Sequence, residues 1–350
     1  MKMDQQFLNK ITILRKKLHK FPELSNQEIK TPEILDDFFQ EFSPDQTIKN
    51  IGGYGIAFVF KGKKPGPCIV FRADMDALPI NEINDFSYKS VHDNVAHKCG
   101  HDGHMAIISG LGALISKKRP EKGKVVLLYQ PAEETGEGAY RVVTDEKFKQ
   151  LQPDYIFGLH NLPGYEKNAI ILSDAHFAAA SKGMIIQLKG KTSHAGEPEN
   201  EISPAIGMSD IIKELMAIPE SKKLFRDFAL VTIIHAKLGE RAFGTNPGFA
   251  QVMATLRTFL NDDMNTLTNK AEKCAEEIAA REKLGIDISY TEEFPATVNY
   301  HECVEIIRKK ALKKNFQIIE KNIPFRWSED FAHFLLHYKG AFFGLGSGKN

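Results

Sequence analysis

The densest chemistry in the sequence lies in AHKCGHDGHMA, residues 96–106, where one cysteine and three histidines fall within eight positions. Thiol and imidazole are side chains that hold late transition metals. Further along, QPAEE brings Glu133 and Glu134, and FGLH ends in His160. Each group follows a short apolar run that reads as a buried strand, and α/β proteins build their sites at strand ends. A divalent-metal hydrolase needs deprotonated donors and one position left for water. Cys99 and His101 can face one site across Gly100, whose missing side chain permits a tight loop. A cysteine among the donors favours zinc or another late transition metal over magnesium or calcium. Alone, Cys99 reads as a buried apolar filler and the histidines as surface groups. The second donor set at 133, 134 and 160 tips the balance to metal.

Successive residues of an extended segment point to opposite sides, so Glu133 and Glu134 need not share a task. One carboxylate can bind a cation while its neighbour takes a proton as general base. Asp74 and Asp76 close the strand IVFRADMD, and alternate spacing puts both on one face. Either can orient a ligand histidine; a turn or helix-cap aspartate is the plainer alternative. His160, at the end of an apolar strand, is the stronger ligand candidate. His19, His92, His176, His235, His301, His333 and His337 lack such a setting and read as structural or exposed.

These residues need a scaffold, and 350 residues suggest two domains. From Gln5 to Phe42 the apolar positions recur at helical spacing, broken near Pro22. GIAFVF, CIVFRAD, KVVLLYQ and YIFGLH are strands, with a helix predicted over 104–118 and another around 137–149. That alternation predicts an α/β catalytic domain on a mostly parallel sheet. After about residue 180 the order becomes strand–helix–strand–strand–helix–strand, the split βαβ of a four-stranded α+β domain. From about residue 295 the strand–helix idiom returns. The expected division is therefore a catalytic domain, 1–180 and 295–350, with a second domain, 181–294, inserted into it. The 46 basic and 45 acidic residues leave a net charge of +1, so no footprint for nucleic acid or an anionic membrane is present. Four cysteines without a CxxC pair, and no signal-peptide or spanning stretch, predict a cytoplasmic protein.

Six segments together, LHKFPELSNQE, FRADMDALPI, HKCGHDGHMA, QPAEE, GLHNLPG and KTSHAGEPE, resemble the co-catalytic metallopeptidase and aminoacylase family. The resemblance runs from about residue 11 to 346 and is nearest the amidohydrolase branch of hippurate, N-acyl-amino-acid and auxin-conjugate hydrolases. It implies two divalent metals, manganese or zinc first and cobalt or nickel next, held by Cys99, His101, Glu134 and His160, with Cys99 bridging. It implies Glu133 as general base and then proton donor to the departing amine. The inserted domain resembles a lid that also forms a homodimer. His194 matches a lid histidine that serves the partner subunit's site by stabilising the oxyanion, and Arg257 an arginine at the substrate carboxylate. As bare residues, His194 reads as a loop cap and Arg257 as a strand-face salt-bridge partner. The turn FGTNPG departs from the family's Asn-Val-Ile-Pro-like turn, so Asn246 takes no role from it. The family also places a further metal-ligand histidine after the strand AFFGLGSG, whereas no histidine follows His337. The expectation is a C-terminally truncated catalytic domain or a metal short of one ligand.

The sequence thus predicts a metal-dependent amidohydrolase acting on N-acyl amino acids or related small conjugates. A dipeptidase or aminopeptidase with the same metals is the first alternative. A catalytically impaired binding protein is the second.

Overall fold

The computed structural model describes residues 5–221 and 223–349. They divide into two compact units. Of the described residues, the larger holds 5–177, 297–323 and 329–349; the smaller holds 178–221, 223–296 and 324–328. None of the described helices is long and apolar enough to cross a membrane.

The larger unit opens with helices α1 (Gln5–Lys20) and α2 (Lys30–Gln40). Strands β1 (Gln46–Ile51), β2 (Gly55–Lys61) and β3 (Lys64–Asp74) follow. Next come α3 (His101–Lys117), β4 (Lys122–Gln130), the short helices α4 (Gly138–Thr144) and α5 (Glu146–Lys149), then β5 (Tyr155–Pro163) and β6 (Ile170–Leu172). The one helix expected around 137–149 is two, because Asp145 takes an extended conformation and caps the Lys147 N–H with its side chain. Phe7, Leu14 and Leu18 of α1, spaced by seven and four, bury one face against Phe39, Phe58, Met105 and Tyr129. Phe39 stacks on Phe58 at 4.0 Å. Gly112 lets α3 approach this stack: a Cβ there would stand 2.5 Å from Phe39 and 2.6 Å from Leu127.

In the smaller unit β7 (Ala180–Lys189), α6 (Ala205–Ala217), β8 (Ala229–Leu238), β9 (Phe249–Thr258), α7 (Asn261–Arg281) and β10 (Gly285–Phe294) follow one another. The strands form an antiparallel sheet in the order β8-β9-β7-β10. Alternate residues of β9 are buried, as a sheet with one covered face requires. Ile211 and Leu215 of α6, with Leu267, Ala271 and Ala275 of α7, are buried with them. Pro324–Ser328, expected in the strand–helix domain, joins this unit instead. Phe325 bridges to Ala178, and the Arg257 guanidinium donates to the Arg326 carbonyl at 2.9 Å.

The chain then completes the larger unit with α8 (His301–Lys313), β11 (Ile318–Glu320), α9 (Ala332–Leu335) and β12 (Lys339–Gly348). The sheet order is β1-β2-β4-β3-β5-β12-β6-β11. Its centre, β4-β3-β5-β12, is parallel, while β1 and β2 extend one side antiparallel. Cys303, Val304 and Ala311 of α8 pack over Phe157, Leu172 and Ala341. The α/β class with an inserted α+β segment is therefore the observed one.

Candidate metal centre

Three parallel strands end on one edge of the sheet, and each delivers donors there. Asp74 closes β3, Gln130 closes β4 just before Glu133 and Glu134, and His160 lies near the end of β5. The fourth contributor is the start of α3. The helix expected over 104–118 begins instead at His101, because Gly100 turns the chain at a φ of 106°. No side chain is tolerated at that turn: a Cβ on Gly100 would stand 2.2 Å from Asn161 Oδ1. His101 is thus fixed in a first helical turn rather than on a loop.

The donor atoms of Cys99, His101 and His160 lie within 4.8 Å of one another, as do those of His101, Glu133 and Glu134. Cys99 Sγ is 3.2 Å from His160 Nε2. His101 Nδ1 donates to the Asp76 carbonyl at 2.8 Å. That leaves Nε2 facing Glu134 at 3.7 Å and Glu133 at 3.8 Å. His101 Nε2 and Glu134 Oε1 are buried with no hydrogen-bond partner among the described residues. These two buried polar atoms face each other unpaired at 3.7 Å, and a cation between them would satisfy both, since a buried polar group left unmet is unfavourable. The residues present therefore suit a soft-to-borderline divalent metal.

The electrostatics of His160 suit a metal, whereas His101 would have to give up a proton to bind one. Burial holds His160 neutral, pushing it down to about 3, which is the form that ligates a metal. Burial opposes charge on His101, but Asp74, Asp76 and Cys99 outweigh it and favour positive charge there. Glu134 is pushed up to about 7, chiefly by burial. Burial also raises Glu133 well above the usual range, with Glu329 and Asp330 adding to it. Burial raises the Cys99 thiol as well. A bound cation favours the deprotonated form of all three.

Asp74 and Asp76 are both fully buried. Asp76 meets His101 through its backbone carbonyl, and its Oδ2 accepts the Glu134 N–H at 2.9 Å. Asp74 hydrogen-bonds His104 Nδ1 at 2.7 Å and stands 3.6 Å from His101 Nε2. The sequence reading gave His104 no task, yet its Nε2 accepts the Asn161 N–H at 2.9 Å and so ties α3 to the His160 strand. It also missed Arg72, Gln130, Glu329 and Asp330. Arg72, fully buried, reaches Asp74, Asp330 and Gln130 at 2.7–2.9 Å and Glu329 at 3.1 Å. Donor atoms of Glu329 and Asp330 lie within 4.8 Å of Glu133. An arginine directly after the apolar run CIVF was the available signal, because a buried guanidinium needs carboxylates.

His194 and Arg257 belong to the smaller unit. His194 pairs with Thr245 in a two-residue ladder, is exposed, and accepts the Gly196 N–H at 3.1 Å. Asn246 completes that ladder against Ser193. Arg257 lies on β9 and donates to the Arg326 carbonyl and to Ser328 Oγ.

Residues 70–350 match the family described as peptidase family M20/M25/M40. The chain belongs to that family. It is 32% identical over 334 residues to an N-acetyl-L-cysteine deacetylase of Bacillus subtilis (strain 168), covering 95% of this chain and 79% of that protein. An N-acetyldiaminopimelate deacetylase of Priestia megaterium is 29% identical over 343 residues, 97% of this chain and 90% of its own. Among solved structures, a Bacillus subtilis dinuclear metal binding peptidase from the M20 family superposes with a TM-score of 0.82. It is 28% identical, with 98% of this chain and 90% of that one covered. A putative aminohydrolase from methicillin-resistant Staphylococcus aureus reaches 0.87 at 24% identity over the same shares, a likeness of fold. The resemblance first seen in the sequence is the family found here, and the protein is a metal-dependent amide hydrolase of that family.

Proposed function

We propose that the substrate is a small N-acylated amino acid, cleaved to a carboxylic acid and a free amine. The observation that carries this reading is the meeting of Cys99, His101 and His160 donor atoms within 4.8 Å, with His101 shared with Glu133 and Glu134. Cys99, His101, Glu134 and His160 would hold two divalent ions, manganese or zinc ahead of cobalt or nickel. When bound, such ions supply Lewis acidity to an amide carbonyl and make water a better nucleophile. Glu133 takes a proton from the attacking water and returns it to the amine nitrogen as the C–N bond breaks. The close carboxylates of Glu329 and Asp330 strengthen its basicity. Asp76 orients His101, and Asp74 orients His104. The match of KTSHAGEPE and TLRTF to family patterns supports His194 as the oxyanion donor and Arg257 as the substrate-carboxylate partner. The same match supports the inserted segment 181–294 as a lid and dimerisation domain of a homodimer, and four cysteines without a CxxC pair suit a cytoplasmic protein. The names of the two deacetylase relatives support the acyl-amino-acid class.

Hydrolysis of N-acetyl amino acids, hippurate and free dipeptides by the metal-loaded protein tests the substrate class. Acyl amino acids should be cleaved and free dipeptides not. In the same assay Glu133→Ala should lose about 10²–10⁴-fold in kcat while keeping its metal. Preferred cleavage of free dipeptides would replace the deacylase reading with a peptidase one.

A further inference from the structure

Glu28 touches the working loop from outside the metal centre. It lies in the connector between α1 and α2 and is fully buried. Its Oε1 accepts the Ala132 N–H at 2.7 Å across 104 residues of sequence, while its Oε2 has no hydrogen-bond partner among the described residues. Ala132 immediately precedes Glu133 and Glu134 and holds a left-handed φ of 53°. That region crowds the Cβ of an L-residue against backbone, so alanine stays there only when its surroundings compel it. Ala132 is itself fully buried, so its N–H has no water to turn to. Two positions on, the Glu134 N–H is taken by Asp76 Oδ2, which also accepts from Ser25 Oγ at 2.7 Å. Two carboxylates from distant segments therefore grip alternate N–H groups of the same turn. Burial pushes the Glu28 carboxyl up to about 7. Keeping a carboxyl buried with one oxygen idle is unfavourable, and the bonds to its own N–H and to the Ala132 N–H oppose this.

We propose that Glu28 is a positioning residue: by holding the Ala132 N–H it keeps that residue left-handed and so aims Glu133 and Glu134 into the metal centre. This rests on the reading above that those two glutamates do the work.

Wild type, E28A, E28Q, A132G and E28A/A132G are compared for kcat and KM on an N-acetyl amino acid and, separately, for manganese binding by equilibrium dialysis. E28A should lower kcat by about 10- to 100-fold and weaken manganese binding by about tenfold, with KM held within about threefold. E28Q, whose amide oxygen accepts the same N–H, should stay within about threefold of wild type in both readouts. Glycine adopts a φ of 53° without strain, so the E28A penalty should shrink by at least about threefold in the A132G background. Three results would each overturn the proposal: wild-type behaviour in E28A, E28Q as impaired as E28A, or an equal E28A penalty in both backgrounds. If E28A does not fold, E28A/A132G must, and its failure to fold would also overturn it. Should wild type cleave no acylated amino acid, the substrate reading falls, while the manganese measurements still decide the role of Glu28.

Discussion

Replacing Arg72 by methionine should destabilise the larger unit more than any surface change, and the loss should grow with pH. Arg72 meets Asp74 at 2.9 Å, Asp330 at 2.8 Å and Glu329 at 3.1 Å, with every partner side chain at most 1% exposed. At an effective dielectric of about 20, each contact near 3 Å is worth about 5–6 kcal/mol of attraction. Desolvating the guanidinium costs several kcal/mol, so the net loss on breaking such a buried set is about 3–5 kcal/mol. Burial opposes the charge on Arg72, but Glu329, Asp74 and Asp330 restore it. Burial already raises Asp330 well above the usual range, with Arg72 the chief opposing influence. In Arg72→Met these acids would bind protons still more readily when folded, so the variant recovers as pH falls and weakens as pH rises. The slope is up to about 1.4 kcal/mol per pH unit for each extra proton held. For a domain of this size the loss corresponds to a fall of about 6–20 °C in Tm. Urea unfolding followed by circular dichroism between about pH 6 and 8 measures it. A variant within about 1 kcal/mol of wild type at the higher pH, or a gap that ignores pH, would refute the reasoning.

Two other perturbations follow from the same packing. His19 presents its ring nitrogens to Asp102 at 3.0 Å and Glu82 at 3.2 Å. Burial disfavours its charge, but those two carboxylates outweigh burial and raise its pKa. Its contribution is therefore whole below the unfolded value of about 6.5 and fades as pH climbs through the higher folded value. The stability advantage of wild type over His19→Gln should shrink from about pH 6 to 9, and a gap independent of pH would contradict the doubly bonded imidazolium. Gly112→Ala should cost about 1–3 kcal/mol by overpacking, read as a lower urea midpoint, because its Cβ meets Phe39 and Leu127 at 2.5 and 2.6 Å. An unchanged midpoint would mean the α3 packing is looser than described.

Donors that follow apolar strands were legible because strand periodicity locates a sheet edge and metal chemistry selects the residue types found there. Glu133, Glu134 and His160 arrive for that reason, and Cys99 and His101 meet them from the start of α3. Less legible was anything decided by backbone conformation. Gly100 moves the start of α3 to His101, and Ala132 turns left-handed without being glycine. Charge partners remote along the chain were hidden altogether: Arg72 and Asp330 are 258 residues apart, and no local pattern links them. The segment 324–328 looked like part of the strand–helix domain, but a backbone bridge from Phe325 draws it to the smaller unit. Its neighbours Glu329 and Asp330 return to the larger one.

Cobalt(II) spectroscopy tests the central claim most directly, because a thiolate on cobalt gives charge-transfer absorption in the near ultraviolet. Wild type loaded with cobalt should show that band, and Cys99→Ser should lose it while Cys68, Cys274 and Cys303 remain. A wild type without the band, or a band that survives in Cys99→Ser, would mean that Cys99 is not a ligand and that the donors gathered around His101 serve another purpose.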